Sequence, residues 1–244
     1  MQEVSNHRYL DFLAKLAVDH AHPGGHVLTE QLVHQLQIKA GDKVLDVGCG
    51  TGATLMYLSD QLKAEVTGID LHPLMVEHAK TRLKNRQRTA KIIQASAEAL
   101  PFQSERFNAV FSESVTAFTN VAHSVPEYFR VLKNGGRMAA VEMTIEEALD
   151  EQQKQLIETV YGVKDVRTEK EWLTLWKQAG FTKIQAYRTN QLRQDEQDAQ
   201  PSYHFTSKLD EEALDVWLQH IQILQMFQGK LTYRAFTMEK QEQS

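Results

Sequence analysis

Cysteine is almost absent: Cys49 is the single one among 244 residues. One thiol closes no intrachain disulfide, so stability must come from a packed core, and a reducing compartment suits the chain. Long apolar runs are missing too. No segment reaches the roughly 18 consecutive apolar residues of a membrane span, and the opening MQEVSNHRYLDF has charges where a secretory leader needs an apolar stretch. Basic excess is lacking as well, since 27 Lys+Arg face 32 Asp+Glu for a formal net charge of -5. That balance supplies no global field for nucleic acid or anionic lipid. The one dense basic run, Lys80–Arg88, has the spacing of a solvated helix face and end. These absences predict a cytoplasmic protein with neither a nucleic-acid nor a membrane partner. Repeats and linker-like stretches are also missing, so residues 1–244 are taken as one domain.

What is present is an ordinary globular composition, 42% hydrophobic and 24% charged, in a chain long enough to bury a real core. Short apolar runs alternate with helical periodicity. Leu28, Leu32, Val33 and Leu36 share one helical face, as do Met75, Val76, Ala79 and Leu83. Strands are predicted at Lys43–Val47, Glu65–Ile69, Lys91–Ala95, Phe107–Ser112, Arg137–Met143, Phe181–Arg188 and Leu231–Met238. Pro73 suits the first turn of a helix. Ser124-Val125-Pro126-Glu127 and Thr168-Glu169-Lys170-Glu171 have the form of capping boxes, Asn134-Gly135-Gly136 of a helix end, and Gly180 of a helix stop. Glu146–Tyr161 reads as an amphipathic helix, and another is predicted around Leu209–Phe227. Such alternation predicts an α/β fold with a parallel sheet covered on both faces.

The stretch VLDVGCGTG, Val44–Gly52, joins a strand to a helix through three glycines in five residues. A turn of this kind presents backbone N–H groups at the carboxyl edge of the sheet, where open α/β sheets bind ligands. Gly48, Gly50 and Ala53 formally satisfy G-x-G-x-x-G/A, and Asp70 follows Gly48 by 22 residues, which suits a dinucleotide. Asp46 argues the other way, because a carboxylate just ahead of the turn repels a pyrophosphate. It favours a ligand with a cationic amine and no phosphates, such as S-adenosylmethionine. Asp70 then has acceptor oxygens for ribose hydroxyls.

The run from Gly41 to Glu142 resembles a class I S-adenosylmethionine-dependent methyltransferase, of the broad group that includes the bacterial ubiquinone and menaquinone biosynthesis methyltransferases. The resemblance rests on VLDVGCGTG, VTGIDLHPLMV (Val66–Val76), QASAEALPF (Gln94–Phe102), FNAVFSESV (Phe107–Val115) and RVLKNGGRM (Arg130–Met138). It implies a doubly wound, Rossmann-like, mostly parallel seven-stranded sheet whose last two strands are antiparallel. The parts expected are an N-terminal helical cap (1–40), a cofactor-binding core (41–143) and C-terminal helices with the last two strands (144–244), carrying an excursion at 191–230. It implies that Gly48, Cys49, Gly50 and Gly52 line the methionine portion with Asp46 nearby, that Asp70 holds the ribose, and that Leu71 flanks the adenine. Ser96 and Ala97 take the adenine-edge positions, Ser96 in place of the acidic residue usual there, with Glu98 as acidic neighbour. Ser112 completes the cofactor set.

Absences narrow the acceptor. Cys49 lies in the cofactor turn, which disfavours cytosine-C5 and thiol-bound arsenic chemistry, and SESV at Ser112–Val115 replaces the aromatic motif of base-amine methyltransferases. No clustered Asp/Asn ligands mark a metal-dependent catechol-type site. A small organic acceptor, methylated on O, N, S or C, is the expected class. Candidate catalytic residues are Glu113, Glu142, His22 and His26, the histidines lying in HAHPGGHVLT (His20–Thr29), a turn and helix entry placed to cover the cofactor. No metal is expected there. His123 is read as part of a helix cap, and Tyr203, His204 and Phe205 as candidates for an aromatic pocket. A nicotinamide-dependent oxidoreductase and a non-catalytic cofactor-binding subunit stay open as alternatives.

Overall fold

The computed structural model describes residues 8–87, 90–164, 166–188 and 210–241. Arg88, the polar loop 191–202 and Tyr203, His204 and Phe205 lie outside the described residues.

Two helices come first, α1 (Arg8–Lys15) and α2 (Gly25–Gln35). Then β1 (Lys43–Val47), α3 (Ala53–Leu62), β2 (Glu65–Asp70), α4 (Pro73–Asn85), β3 (Lys91–Gln94) and β4 (Phe107–Glu113) alternate as predicted. They are followed by α5 (Val121–Val131), β5 (Leu132–Ile145), α6 (Glu151–Tyr161), β6 (Arg167–Thr168), α7 (Glu169–Gln178), β7 (Phe181–Tyr187), α8 (Glu211–Met226) and β8 (Leu231–Lys240). The sheet runs β3-β2-β1-β4-β5-β8-β7. Its first five strands are parallel, β8 is antiparallel to β5, and β7 is antiparallel to β8. The two-residue β6 pairs with the end of β5, off this path, and makes an eighth strand the periodicity does not predict. A pair of residues is too short to show an alternation.

Both faces of the sheet are covered. Leu28, Leu32, Leu55 and Leu58 from α2 and α3 pack on Val44, Phe111 and Val141 of one face. Tyr128, Ile157, Trp172 and Trp176 from α5, α6 and α7 pack on Leu45, Val110, Ala140 and Phe236 of the other. A smaller cluster joins α1 to α8 and α4 through Phe12, Leu13, Val216 and Met75. Burying apolar stripes of this kind contributes about 1.5–3 kcal/mol for each large side chain.

The capping box expected at Thr168 forms, with Glu171 accepting from the Thr168 N–H at 2.7 Å. That expected at Ser124 does not. The helix begins a turn earlier, where the Asn120 side chain accepts from the Ala122 N–H at 3.1 Å. Ser124 is buried and bonded to the Thr119 hydroxyl at 2.7 Å. Glu127 is used elsewhere: it accepts from the Leu100 N–H at 2.7 Å and pairs with Arg130, which binds the Phe102 carbonyl at 2.6 Å. Asn120 wins because Asn caps as well as Ser, and a start at 120 lets Tyr128 and Val131 reach the core. His123 therefore lies inside the first turn, exposed, with Nδ1 3.6 Å from Glu98. The segment Asn134-Gly135-Gly136 is likewise absorbed into β5, as an irregularity in its pairing with β4.

Candidate functional site

The carboxyl ends of β1, β2 and β4 stand side by side, because Val47 pairs with both Ile69 and Ser112. The chain leaves β1 through left-handed turns at Gly48 (φ 69°), Gly50 (φ 51°) and Gly52 (φ 81°) before α3. A Cβ on Gly48 would stand 2.2 Å from Val115, whereas one on Gly50 would meet open space. Gly52 serves packing instead, its missing Cβ letting α3 approach Ala79 of α4. The turn is tied to β2 by the Cys49 N–H, which donates to the Ile69 carbonyl at 2.8 Å. Gly68 leaves room for the Cys49 thiol, which is buried and has its pKa pushed well up by that burial.

Asp70, at the end of β2, accepts the Gly50 N–H at 2.9 Å on one oxygen and the His72 N–H at 2.8 Å on the other. Each carboxylate oxygen has about two acceptor directions, so one on each remains. Burial raises the Asp70 pKa, against the opposing pull of those two amides. Asp46 is 3% exposed, and its Oδ2 has no hydrogen-bond partner among the described residues. Burial first, then the charges of Glu113 and Asp70, raise its pKa well above the ordinary value. That oxygen is a buried acceptor for which no donor is found among the described residues.

These groups open onto one cavity of about 930 Å³, at the upper end of the ~300–1,000 Å³ typical of small-molecule sites. Asp46, Gly48, Cys49, Gly50, Asp70, Leu71, Ser96 and Ala97 all line it. No lining residue among those described is Lys or Arg.

Residues 44–136 match the methyltransferase domain family. The chain is 32% identical to the "uncharacterized methyltransferase YodH" of Bacillus subtilis (strain 168), over 96% of this chain and 99% of that one. The chain belongs to the S-adenosylmethionine-dependent methyltransferases. Solved structures share the fold. A putative sarcosine dimethylglycine methyltransferase from Galdieria sulphuraria superposes with a TM-score of 0.77 at 15% identity, covering 97% of this chain and 99% of that one. The phosphoethanolamine N-methyltransferase 2 of Haemonchus contortus, in complex with phosphomonomethylethanolamine and S-adenosylhomocysteine, gives 0.73 at 19% identity, covering 91% of this chain and 54% of that one.

The methyltransferase site departs from the sequence reading at several residues. Ser112 is fully buried and does not line the cavity; its hydroxyl bonds to that of Thr116 at 3.0 Å. Gly52 is not on the cavity wall either. His26 turns away, pairing with Glu30 at 3.2 Å beside a separate cleft of about 620 Å³ that also takes Asp19 and Arg82. His22 does face the main cavity, and its Nε2 lies 3.5 Å from Glu113. Glu113 accepts the Thr29 hydroxyl at 2.8 Å and the Thr54 hydroxyl at 3.0 Å, so both of its oxygens are engaged. Glu142 is fully buried, accepts the Thr116 and Ala117 N–H groups at 3.2 Å each, and is pushed up to about 8 by burial against those bonds. Among the described residues no group of His, Cys, Asp and Glu could hold a metal ion.

The opposite wall escaped the sequence reading. It brings Tyr161 of α6, Trp217 and His220 of α8 and Tyr233 of β8 to the same cavity. The Tyr161 hydroxyl and His220 Nδ1 are 3.0 Å apart. Tyr9 of α1 packs edge-on to Tyr161 with ring centroids 4.9 Å apart. Helix α1 bridges the two sides: Arg8 pairs with Asp215 at 2.8 Å and Asp11 with His72 at 3.0 Å. Of the three tryptophans, Trp172 and Trp176 stack in the core with ring centroids 5.7 Å apart, and Trp217 lines the cavity.

Proposed function

We propose that this methyltransferase holds S-adenosylmethionine over the β1–α3 turn and passes its methyl group directly to a small organic acceptor bound under α1 and α8. The observation that carries the reading is the buried Oδ2 of Asp46, which has no partner among the described residues, beneath the glycine turn in a cavity whose described wall has no Lys or Arg. That surface fits a ligand with an ammonium and a sulfonium, and it offers a dinucleotide's two phosphates no counter-charge.

The assignments follow from placement. Gly48 and Gly50 line the methionine portion, with Asp46 turned to the ammonium. Asp70 uses its remaining acceptor directions for the ribose diol, and Leu71, 59% exposed at the cavity rim, lies against the adenine. Ser96 and Ala97 border the base, Ser96 already accepting from the Glu98 N–H at 3.1 Å. When bound, the cofactor supplies a methyl group activated by its sulfonium charge. The chain's own task is to align the reactants and exclude water. Helix α1, the His22–Pro23 turn and α8 do the excluding. Glu113 serves as an anchor that fastens the N-terminal segment to α3, and Glu142 fixes the Thr116–Phe118 turn from below.

We take residues 1–244 to work as one domain. No helix among the described residues is long and apolar enough to cross a membrane, and a cytoplasmic location suits a chain with one buried thiol. Calorimetry with S-adenosylmethionine, S-adenosylhomocysteine, NADH and NADPH tests the cofactor assignment. Micromolar binding of the first two alone is expected, and a preference for a dinucleotide would overturn it. Transfer of labelled methyl by the purified chain to any acceptor in a panel would remove the binding-only alternative.

A further inference from the structure

The cofactor assigned above carries a carboxylate as well as an ammonium, and the cavity holds no counter-charge for it. No described lining residue is Lys or Arg. The four histidines on the described wall do not supply a free charge either. His20 is pushed down to about 4, by burial first and then by His22 beside it, so it is uncharged at neutral pH. His220 is pushed down to about 4 by burial. His22 faces Glu113 at 3.5 Å, and His72 faces Asp11 at 3.0 Å. A carboxylate that leaves water for this cavity therefore has to be met by N–H groups.

The cofactor turn shows which N–H is available. That of Cys49 is spent on the Ile69 carbonyl, that of Gly50 on Asp70, and that of Gly52 on the Cys49 carbonyl at 2.9 Å. The Thr51 N–H has no acceptor among the described residues, and Thr51 lines the cavity. It stands just ahead of α3, whose cap residue Gly52 makes no side-chain bond, so the positive end of that helix lies one residue away.

Thr51 is also gripped from outside. It is 3% exposed, and its hydroxyl donates to Asp19 at 2.5 Å. The same Asp19 oxygen accepts from Arg82 of α4. Asp19 and Arg82 belong to the outer cleft, which shares with the cofactor cavity a wall made of His20, Thr51 and Ala53. Against the upward push of burial, the bonds from Arg82 and Thr51 hold the Asp19 carboxyl below its ordinary range. An ionised carboxylate thus stands directly behind the turn, where it would repel a second one unless Arg82 offset it.

Resting on the cofactor assignment above, we propose that Thr51, Asp19 and Arg82 form a positioning chain for the cofactor's carboxylate. The Thr51 N–H receives the carboxylate. Asp19 holds the Thr51 side chain so that this N–H stays turned to the cavity, and Arg82 cancels the Asp19 charge. Asp19 and Arg82 are positioning residues that act through Thr51. A guanidinium inside the cavity would meet the carboxylate too, but it would also stand beside the ligand's ammonium and sulfonium. Behind the wall and already paired, it adds no net positive charge.

The experiment compares two ligands on the full chain, S-adenosylhomocysteine and decarboxylated S-adenosylhomocysteine, which lacks only the carboxylate. Calorimetry gives the affinity of the first, and competition against it gives that of the second. The wild type is expected to bind the first about tenfold or more tighter, as a hydrogen bond to a charged group implies. In Arg82→Gln the uncompensated Asp19 charge should close that gap to about twofold or less. Thr51→Val, which releases Asp19, should close it likewise, and Thr51→Ser should keep it. A role confined to fastening α4 would weaken both ligands alike and leave the gap untouched. No gap in the wild type, or a gap that persists in either folded variant, Arg82→Gln or Thr51→Val, overturns this inference alone. No binding of S-adenosylhomocysteine by the wild type overturns the cofactor assignment, and this inference with it.

Discussion

Glu113 at the end of β4 and His22 ahead of α2 lie 3.5 Å apart, each side chain 6% exposed, with the Thr29 hydroxyl within hydrogen-bonding distance of both. Residues 84 positions apart in the chain, Thr29 and Glu113, thereby fasten the N-terminal helices to the strand edge that carries the cofactor turn. Glu113→Ala removes the acceptor of the Thr54 hydroxyl and leaves the buried Thr29 hydroxyl only its longer bond to the Gly25 carbonyl, 3.4 Å. We expect a loss of about 1–3 kcal/mol in stability, measured by urea denaturation. An unchanged midpoint would show that this contact fastens nothing.

The glycines of the turn are predicted to separate folding from binding. In Gly48→Ala the new Cβ meets Val115 at 2.2 Å with φ at 69°, so the variant should be strongly destabilised. In Gly50→Ala the Cβ points into open space, and only the left-handed backbone is penalised, by about 1–2 kcal/mol. The second variant should fold and yet bind S-adenosylmethionine at least tenfold more weakly, because that space belongs to the ligand. Thermal denaturation paired with calorimetry distinguishes the two, and wild-type affinity in Gly50→Ala would count against the placement.

Asp70→Ala removes the acceptor assigned to the ribose and also releases the Gly50 and His72 amides. Cofactor binding should weaken by roughly 1.5–3 kcal/mol if charge-assisted bonds are lost. Titration by calorimetry reads this directly, and an unaltered dissociation constant would take Asp70 out of the ribose site.

Glu142 predicts a pH dependence. Its pKa in the fold, about 8, stands above the ordinary 4.5 because burial disfavours the charge. Its contribution to stability is thus fully present below about 4.5 and is lost as pH rises through 8. Glu142→Gln stays neutral throughout. Relative to the wild type, the variant's stability should be flat below about pH 4 and rise between there and pH 9 by about 2 kcal/mol or more. Denaturant midpoints at several pH values test this, and parallel curves for the two proteins would refute it.

Much of the cofactor half was legible in the residues. Three glycines in a strand-to-helix turn and an acid at the end of the next strand lie close in sequence, and local backbone geometry brings them together. Where the structure departs from the expected placement, the causes are physical. His26 shares a segment with His22, yet the two diverge because helix α2 starts between them, at Gly25, and carries His26 to the outer side. Ser112 comes one residue before the end of β4, where the alternation of side chains sets it on the opposite face from Glu113 and leaves its hydroxyl buried against Thr116. Asn120 displaced Ser124 as a cap because both sites satisfy the local rule, and core packing of α5 chose between them.

The sequence alone determined the α/β alternation, the order of motifs, the glycine turn with its facing Asp70, and an absence of basic excess that already disfavoured polyanions. Each of these is written in spacing of a few residues or in bulk charge, which local physics converts into structure. Only the tertiary structure decided that Asp46 keeps an oxygen without a partner among the described residues, that Glu113 accepts the Thr29 and Thr54 hydroxyls, and that α1, α6, α8 and β8 bring an aromatic wall opposite the turn. Tyr9, Tyr161, Trp217 and His220 span more than two hundred positions of the chain. Their meeting depends on how β8 inserts antiparallel between β5 and β7 and carries α8 back over the sheet edge, a long-range pairing that no local pattern encodes.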